Sequence, residues 1–192
     1  MLTLQTKMTL ETVSSLDAAN ERASRLTPEL QAFVRTSEFK EWFGDWENNP
    51  DNASKMIDEN GEPALVFFGG ASGITQLSGD QRNRTGSDEI GFYFTTRKGN
   101  ARFYAETLQD PQTDEPIPSS VYGAFLNIRD PYMKQPGDGV RTERVTEIPE
   151  GYDGLVAKGG QYEIVAVSPD QIALVQEELI NVPKQPPLAL AA

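Results

Sequence analysis

The chain has 192 residues, with 17 Lys and Arg against 29 Asp and Glu, a formal charge of −12, and neither Cys nor His. That double absence excludes a disulfide, a thiol nucleophile, a His general base and every triad built on one. Zinc and iron–sulfur sites draw on thiolate or imidazole ligands, so no metal is expected. With 38% hydrophobic and 24% charged residues, the composition is that of a globular domain able to bury its own core.

Nucleic acid is not an expected partner, because no cluster of Lys and Arg is present to neutralise phosphates. No apolar run approaches the ~18–20 residues of a membrane span. Residues 1–7 lack the basic start and apolar core of a signal peptide. The expected location is the cytoplasm, with no membrane partner.

Residues 1–36 read as an N-terminal helical extension. Leu10, Val13, Leu16, Ala19 and Ala23 recur at three- and four-residue steps, one face of a helix. Thr27-Pro28-Glu29 has the order of an N-cap, a first-turn proline and a first-turn acid, and predicts a short helix through Leu30, Phe33 and Val34. Ser37 is placed to cap the next helix. In it Phe39, Trp42 and Phe43 form an aromatic stripe, and Gly44 can end it in the left-handed conformation. The stripe reads as core packing.

From there the pattern turns to strands. Residues 55–58 and 63–68 flank Asn60-Gly61, a hairpin signal. Residues 69–73, Gly-Gly-Ala-Ser-Gly, read as a flexible turn, and 78–90 as a polar loop. A short strand at 91–95, a helix at 98–108, a Pro-rich acidic loop at 109–119 and an apolar strand at 121–128 follow. That strand is predicted to stop at Asp130-Pro131. Further strands are predicted at 154–157, 162–167 and 173–180, with Gly159-Gly160 as a turn. Many short strands with few helices predict an α+β domain rather than a doubly wound sheet. The expected division is 1–36 as the extension, 37–182 as the domain and 183–192 as a flexible Pro/Ala tail.

Three places carry candidate chemistry, and none specifies a function alone. Gly69-Gly70 after an apolar strand could admit a ligand close to the backbone, although Gly-Gly is most often only a turn. The strand at 91–95 with a following helix bearing Tyr104 would be ordinary core. Gln161-Tyr162-Glu163 opening a strand would be a polar edge.

In this order and spacing the three resemble the ADP-ribosyltransferase fold, and in particular the domains of that type found in polyvalent proteins of phages and mobile elements and in polymorphic toxins. The resemblance runs from about Ser37 to Ile180. It rests on Phe39-Lys40-Glu41-Trp42-Phe43-Gly44-Asp45-Trp46, on residues 54–63, and on Leu65-Val66-Phe67-Phe68-Gly69-Gly70 where the family has Tyr-His-Gly-Thr. It continues through Gly91-Phe92-Tyr93-Phe94-Thr95, residues 125–131, 153–156 and 163–172.

The resemblance implies a split β-sandwich or barrel and NAD as substrate. It aligns the family's His-Tyr-Glu signature with Phe68, Tyr93 and Glu163, the His being replaced. It implies that Tyr93 and Tyr104, eleven positions later, sandwich the nicotinamide. The Gly69 backbone would hold the nicotinamide amide, with Gly70 beside it, and Phe68 would lie at the adenosine ribose. Glu163 would face the reacting ribose carbon, where a carboxylate stabilises the oxocarbenium-like transition state. Gln161, two residues earlier on the same strand face, would help select the acceptor. Apart from the resemblance, Arg82 and Arg84 in the loop before the Tyr93 strand could contact the pyrophosphate, although loop cations are more often simply solvated. The implied activity is mono-ADP-ribosylation of a bacterial host protein. The alternatives are a non-catalytic interaction protein that keeps the fold, such as a virion component or an acidic inhibitor, and an NAD glycohydrolase.

Overall fold

The structure, a computed structural model, describes residues 26–79, 91–134, 148–157 and 163–181. The predicted stripe at 10–23 and the tail at 183–192 lie outside the described residues.

Two short helices lead. In α1 (Pro28–Val34) the Thr27 hydroxyl accepts from the Leu30 N–H, as the Thr-Pro-Glu order predicts. In α2 (Ser37–Phe43) the cap is Thr36 rather than Ser37: its Oγ1 accepts from the Phe39 N–H at 3.2 Å, and Ser37 is the first helical residue. Gly44 ends α2 at φ 98° and ψ 157°, a positive φ but with extended ψ, not the left-handed helical geometry.

The aromatic stripe is core. Phe39 stacks on Phe43 at 5.1 Å and meets Phe125 edge-on at 5.2 Å, with Trp42 and Trp46 closing the cluster. Burying each such ring contributes about 1.5–3 kcal/mol. Leu26, Leu30 and Val34 are buried in the same cluster, so the segment from Leu26 onward packs on the domain. The Trp42 indole N–H donates to the Asp170 carbonyl at 2.8 Å, and the Asn127 amide donates to the Trp42 carbonyl at 2.7 Å.

Seven strands follow: β1 (Val66–Ala71), β2 (Phe92–Thr95), β3 (Ser119–Leu126), β4 (Pro131–Lys134), β5 (Gly154–Ala157), β6 (Glu163–Ala166) and β7 (Ile172–Asn181). Helix α3 (Lys98–Glu106) separates β2 from β3. The sheet order is β4-β5-β6-β2-β1-β3-β7, antiparallel except for β4 beside β5. With β4 and β7 at its edges the sheet is open, a split sheet and not a closed barrel.

Two expectations are corrected and one strand is added. The hairpin at Asn60-Gly61 is real but small: Ile57 bridges Pro63, and the flanking bonds run Asp58 N–H to Glu62 carbonyl and Ala64 N–H to Met56 carbonyl. Pro63 has no N–H to donate, and the continuous strand starts only at Val66. Gly69-Gly70-Ala71, predicted as a turn, is the second half of β1, registered on Val121, Ser120 and Ser119. The apolar strand does stop before Asp130-Pro131, at Leu126, and an unexpected strand follows at once. Pro131 opens β4, where a first-position proline on an edge strand costs no ladder bond.

The helices share one face of the sheet. On β3, Phe125 packs under α1 and α2, while Val121, two strand-repeats away, packs with Ala101 and Ala105 of α3. The opposite face carries Val66, Phe92, Phe94, Leu126, Ile128 and Ile164, covered by Met56 and Leu77 from the connecting segments. Ser54 pins that cover in place. Its buried Oγ lies 2.7 Å from the Leu126 carbonyl, to which it donates, and accepts from the Met56 and Ile128 N–H groups.

Candidate functional site

The three strands that carry the expected site are neighbours, in the order β6-β2-β1. β2 and β6 pair along four positions, Phe92↔Ala166 through Thr95↔Glu163. Between β1 and β2, by contrast, the register among the described residues is one pair, Phe67↔Thr95. Beyond it β1 continues through Phe68, Gly69 and Gly70 on β3 alone. The sheet therefore splits here into a β4-β5-β6-β2 half and a β1-β3-β7 half.

Cross-strand partners share a face, and so do residues two apart on a strand. Thr95 is on the face of Phe67, and Phe67 packs against Ala101 and Ala105 of α3. Tyr93 is two residues from Thr95, so it lies on the helical face too, where it packs with Leu155, Ala157, Val165 and Tyr132. Tyr104 is on α3 with 49% of its surface exposed, its ring 6.1 Å from the ring of Phe103. Tyr93 and Tyr104 are thus on the same side of the sheet, one in it and one above it.

Gly69 is the point where α3 touches β1. A Cβ on Gly69 would collide with the Ala101 carbonyl oxygen and stand 2.9 Å from the Ala105 N–H. Only a glycine lets the helix backbone settle there. Gly70 faces the other way, beneath the ring of Phe68 and 3.2 Å from Ile74 Cδ1 (again measured from an added Cβ). Phe68 lies on the face away from α3, its ring 5.8 Å from Phe94 and 6.2 Å from Tyr122. It is therefore not on the side that holds Tyr93 and Tyr104.

The backbone of Glu163 stands opposite Thr95 on one side and Ala157 on the other. Its side chain is outside what the structure describes, and Gln161, Arg82 and Arg84 lie outside the described residues.

Two polar arrangements escaped the sequence reading. A groove of about 340 Å³ opens on the helical face beside β1, on the β3 side away from the split. Phe67, Lys98, Gly123, Gln176, Glu178 and the chain at Glu177 are among its lining, and none of the expected site residues is. Glu178 pairs with Lys98 and, at 3.8 Å, with Arg102, and the Lys98 ammonium holds its carboxyl below the usual carboxylate range. The second is on the opposite face, around Glu177. Its Oε1 accepts from the Gly73 N–H at 2.9 Å and from the Ser120 hydroxyl at 2.8 Å, and lies 3.0 Å from Tyr122 Oη. The Gly73 amide, then Ser120, then Tyr122 hold this carboxyl below its ordinary value. Nothing in Gln176-Glu177-Glu178, an acidic run on an edge strand, distinguishes Glu177 in sequence.

Among the described residues no helix is long and apolar enough to cross a membrane, and no group of three or more acidic side chains is placed to hold a metal ion.

Residues 58–181 match the family model described as ADP-ribosyltransferase in polyvalent proteins, and the chain belongs to that family. No curated protein matches the chain. The α+β sheet, its split and the family match agree on the fold class read from the sequence.

Proposed function

We propose that this chain is an NAD-dependent mono-ADP-ribosyltransferase of the phage, mobile-element or toxin type, transferring ADP-ribose to a bacterial host protein. The observation that carries the reading is the split beyond Phe67↔Thr95. It leaves Gly69-Gly70 on one half of the sheet, and Tyr93 and the backbone of Glu163 on the other, with Tyr104 on the helix above.

In this reading nicotinamide lies between the Tyr93 and Tyr104 rings, its amide held by the Gly69 backbone. The bond between ribose C1′ and the pyridinium nitrogen breaks, and nicotinamide leaves with the bonding electron pair. The acceptor's lone pair forms the new bond to C1′ and the acceptor loses its proton. Glu163 stabilises the positive charge that develops on the ribose and orients the acceptor. Gln161 contributes to acceptor choice and Arg84 to pyrophosphate binding. Phe68 stands where the resemblance puts a hydrogen-bonding His, and its ring turns to Phe94 and Tyr122, away from the two tyrosines, so NAD lacks that bond and binds more weakly by roughly 0.5–1.5 kcal/mol.

The test is incubation of the protein with labelled NAD and bacterial lysate. Label on a macromolecule supports the transferase. Free ADP-ribose with no labelled macromolecule would instead mark a glycohydrolase, and neither label transfer nor nicotinamide release would remove the reading.

One observation favours a second reading, a non-catalytic interaction protein. Phe68 is satisfied by Phe94 and Tyr122, contacts that packing alone explains. Under that reading Glu163→Ala leaves every cellular effect unchanged.

A further inference from the structure

The stretch of β1 expected to meet nicotinamide is held by β3 along one edge and by α3 at Gly69, but not by β2. Beyond Phe67 it has no register partner in β2 among the described residues, and two of its next three residues are glycines. Glycine loses more backbone freedom on ordering than any other residue. A backbone that is to present an N–H to a ligand amide at fixed geometry gains from a further restraint at the end of the strand.

That restraint converges on one carboxylate. Immediately after Gly69-Gly70, the Tyr122 Oη proton is shared between the Ala71 carbonyl at 2.6 Å and Glu177 Oε1 at 3.0 Å, while the same oxygen accepts from the Ile74 N–H at 3.0 Å. Ser120 donates to Glu177 and lies 2.9 Å from the Ser72 hydroxyl, and the Ser72 N–H donates to the Pro118 carbonyl at 3.0 Å. Glu177 itself takes the Gly73 N–H. Each residue from Ala71 to Ile74 is thus fixed by a bond that runs directly to Glu177 or to a hydroxyl bonded to it. The platform beneath is rigid, because Tyr122 is buried and its ring meets that of Phe68.

We infer that Glu177 is a positioning residue for NAD: by clamping residues 71–74 to β3 and β7 it fixes the Gly69-Gly70 backbone that receives the nicotinamide amide. The inference rests on the transferase reading above. Glu177 lies on the face opposite α3, acts through the chain and touches no reacting atom. A charge is not required, only an acceptor oxygen at the right place, so Glu177→Gln keeps the function and Glu177→Ala loses it.

The experiment is calorimetric titration of NAD into the full chain as wild type, Glu177→Gln, Glu177→Ala and Tyr122→Phe, with kcat and KM for nicotinamide release measured alongside. Glu177→Ala is expected to weaken NAD binding and raise KM about 10-fold, the scale of one lost charge-assisted hydrogen bond, with kcat within threefold. Glu177→Gln is expected to stay within about threefold of wild type, as the retained acceptor oxygen predicts. Tyr122→Phe, which removes the bonds to Ala71 and Ile74 but keeps the ring, is expected to weaken binding several-fold and decides the matter if Glu177→Ala does not fold. Wild-type affinity in folded Glu177→Ala or Tyr122→Phe, or a kcat loss with unchanged KM, overturns the clamp alone. Absence of NAD binding by the wild type overturns the transferase reading and the clamp with it.

Discussion

Phe67 of β1 and Thr95 of β2 are the one registered pair that joins the two halves of the sheet among the described residues. Both lie on the face that α3 covers, and past this pair β1 follows β3 while β2 follows β6. Past the pair the Gly69 side of β1 is covered by α3 and Gly70 is buried.

The close contact of Gly69 with α3 gives a stability prediction. Gly69→Ala places a methyl against the Ala101 carbonyl, backbone that cannot rotate away, and is expected to cost about 2–3 kcal/mol. At Gly70 the obstacle is the Phe68 ring, a side chain that can move, so Gly70→Ala is expected to cost less. Urea denaturation of both variants checks the order; equal midpoints would contradict the packing described.

Ser54 is a second structural prediction. Ser54→Ala removes the acceptor of the Met56 and Ile128 N–H groups inside the core. The expected loss is about 1–3 kcal/mol, the cost of buried groups left unpaired, read from the same denaturation curves. A wild-type midpoint would show that the cover over β3 is held by other contacts.

These two residues also show what sequence could and could not supply. The Thr27-Pro28-Glu29 cap and the aromatic stripe were legible because local chemistry and helical period decide them. Gly69-Gly70 was misread as a turn because its strand conformation is set by pairing with β3, far along the chain, with α3 packed on Gly69, and not by its neighbours. β4 was missed because it is four residues long, opens on proline and owes its existence to pairing with β5. Tyr93, Tyr104 and Glu163 rest on the family's pattern alone; the Glu177 cluster, which joins β3, β7 and the turn after β1, leaves no linear trace. Ser54 likewise appears in sequence only as a polar residue after Asn52-Ala53.

Glu177 carries a pH prediction. Its folded value is depressed, so it stabilises the fold fully above its unfolded value of about 4.3 and loses that contribution as pH falls through the lower, folded value. Thermal midpoints measured from pH 7 down to 3 are expected to fall less steeply for Glu177→Gln than for wild type. Among the described residues Glu29, Asp45 and Glu178 are depressed as well and add to the acid sensitivity in both proteins. Parallel curves for the two proteins would mean that the Gly73, Ser120 and Tyr122 bonds add nothing for the ionised form.

Phe68→His separates the two functional readings. The imidazole replaces a ring packed on Phe94 and Tyr122, so stability is expected to drop by about 1 kcal/mol. If residue 68 serves the adenosine ribose, NAD affinity is expected to rise several-fold at the same time, by calorimetry. A loss of stability with unchanged affinity would leave Phe68 as packing only.

The measurement closest to the central claim is nicotinamide release from NAD by the wild type beside Glu163→Gln, with NAD binding measured on both. The expected result is release by the wild type, reduced about 10²–10³-fold in the variant while NAD still binds. Equal rates from the two proteins, or no release from either, would contradict the account.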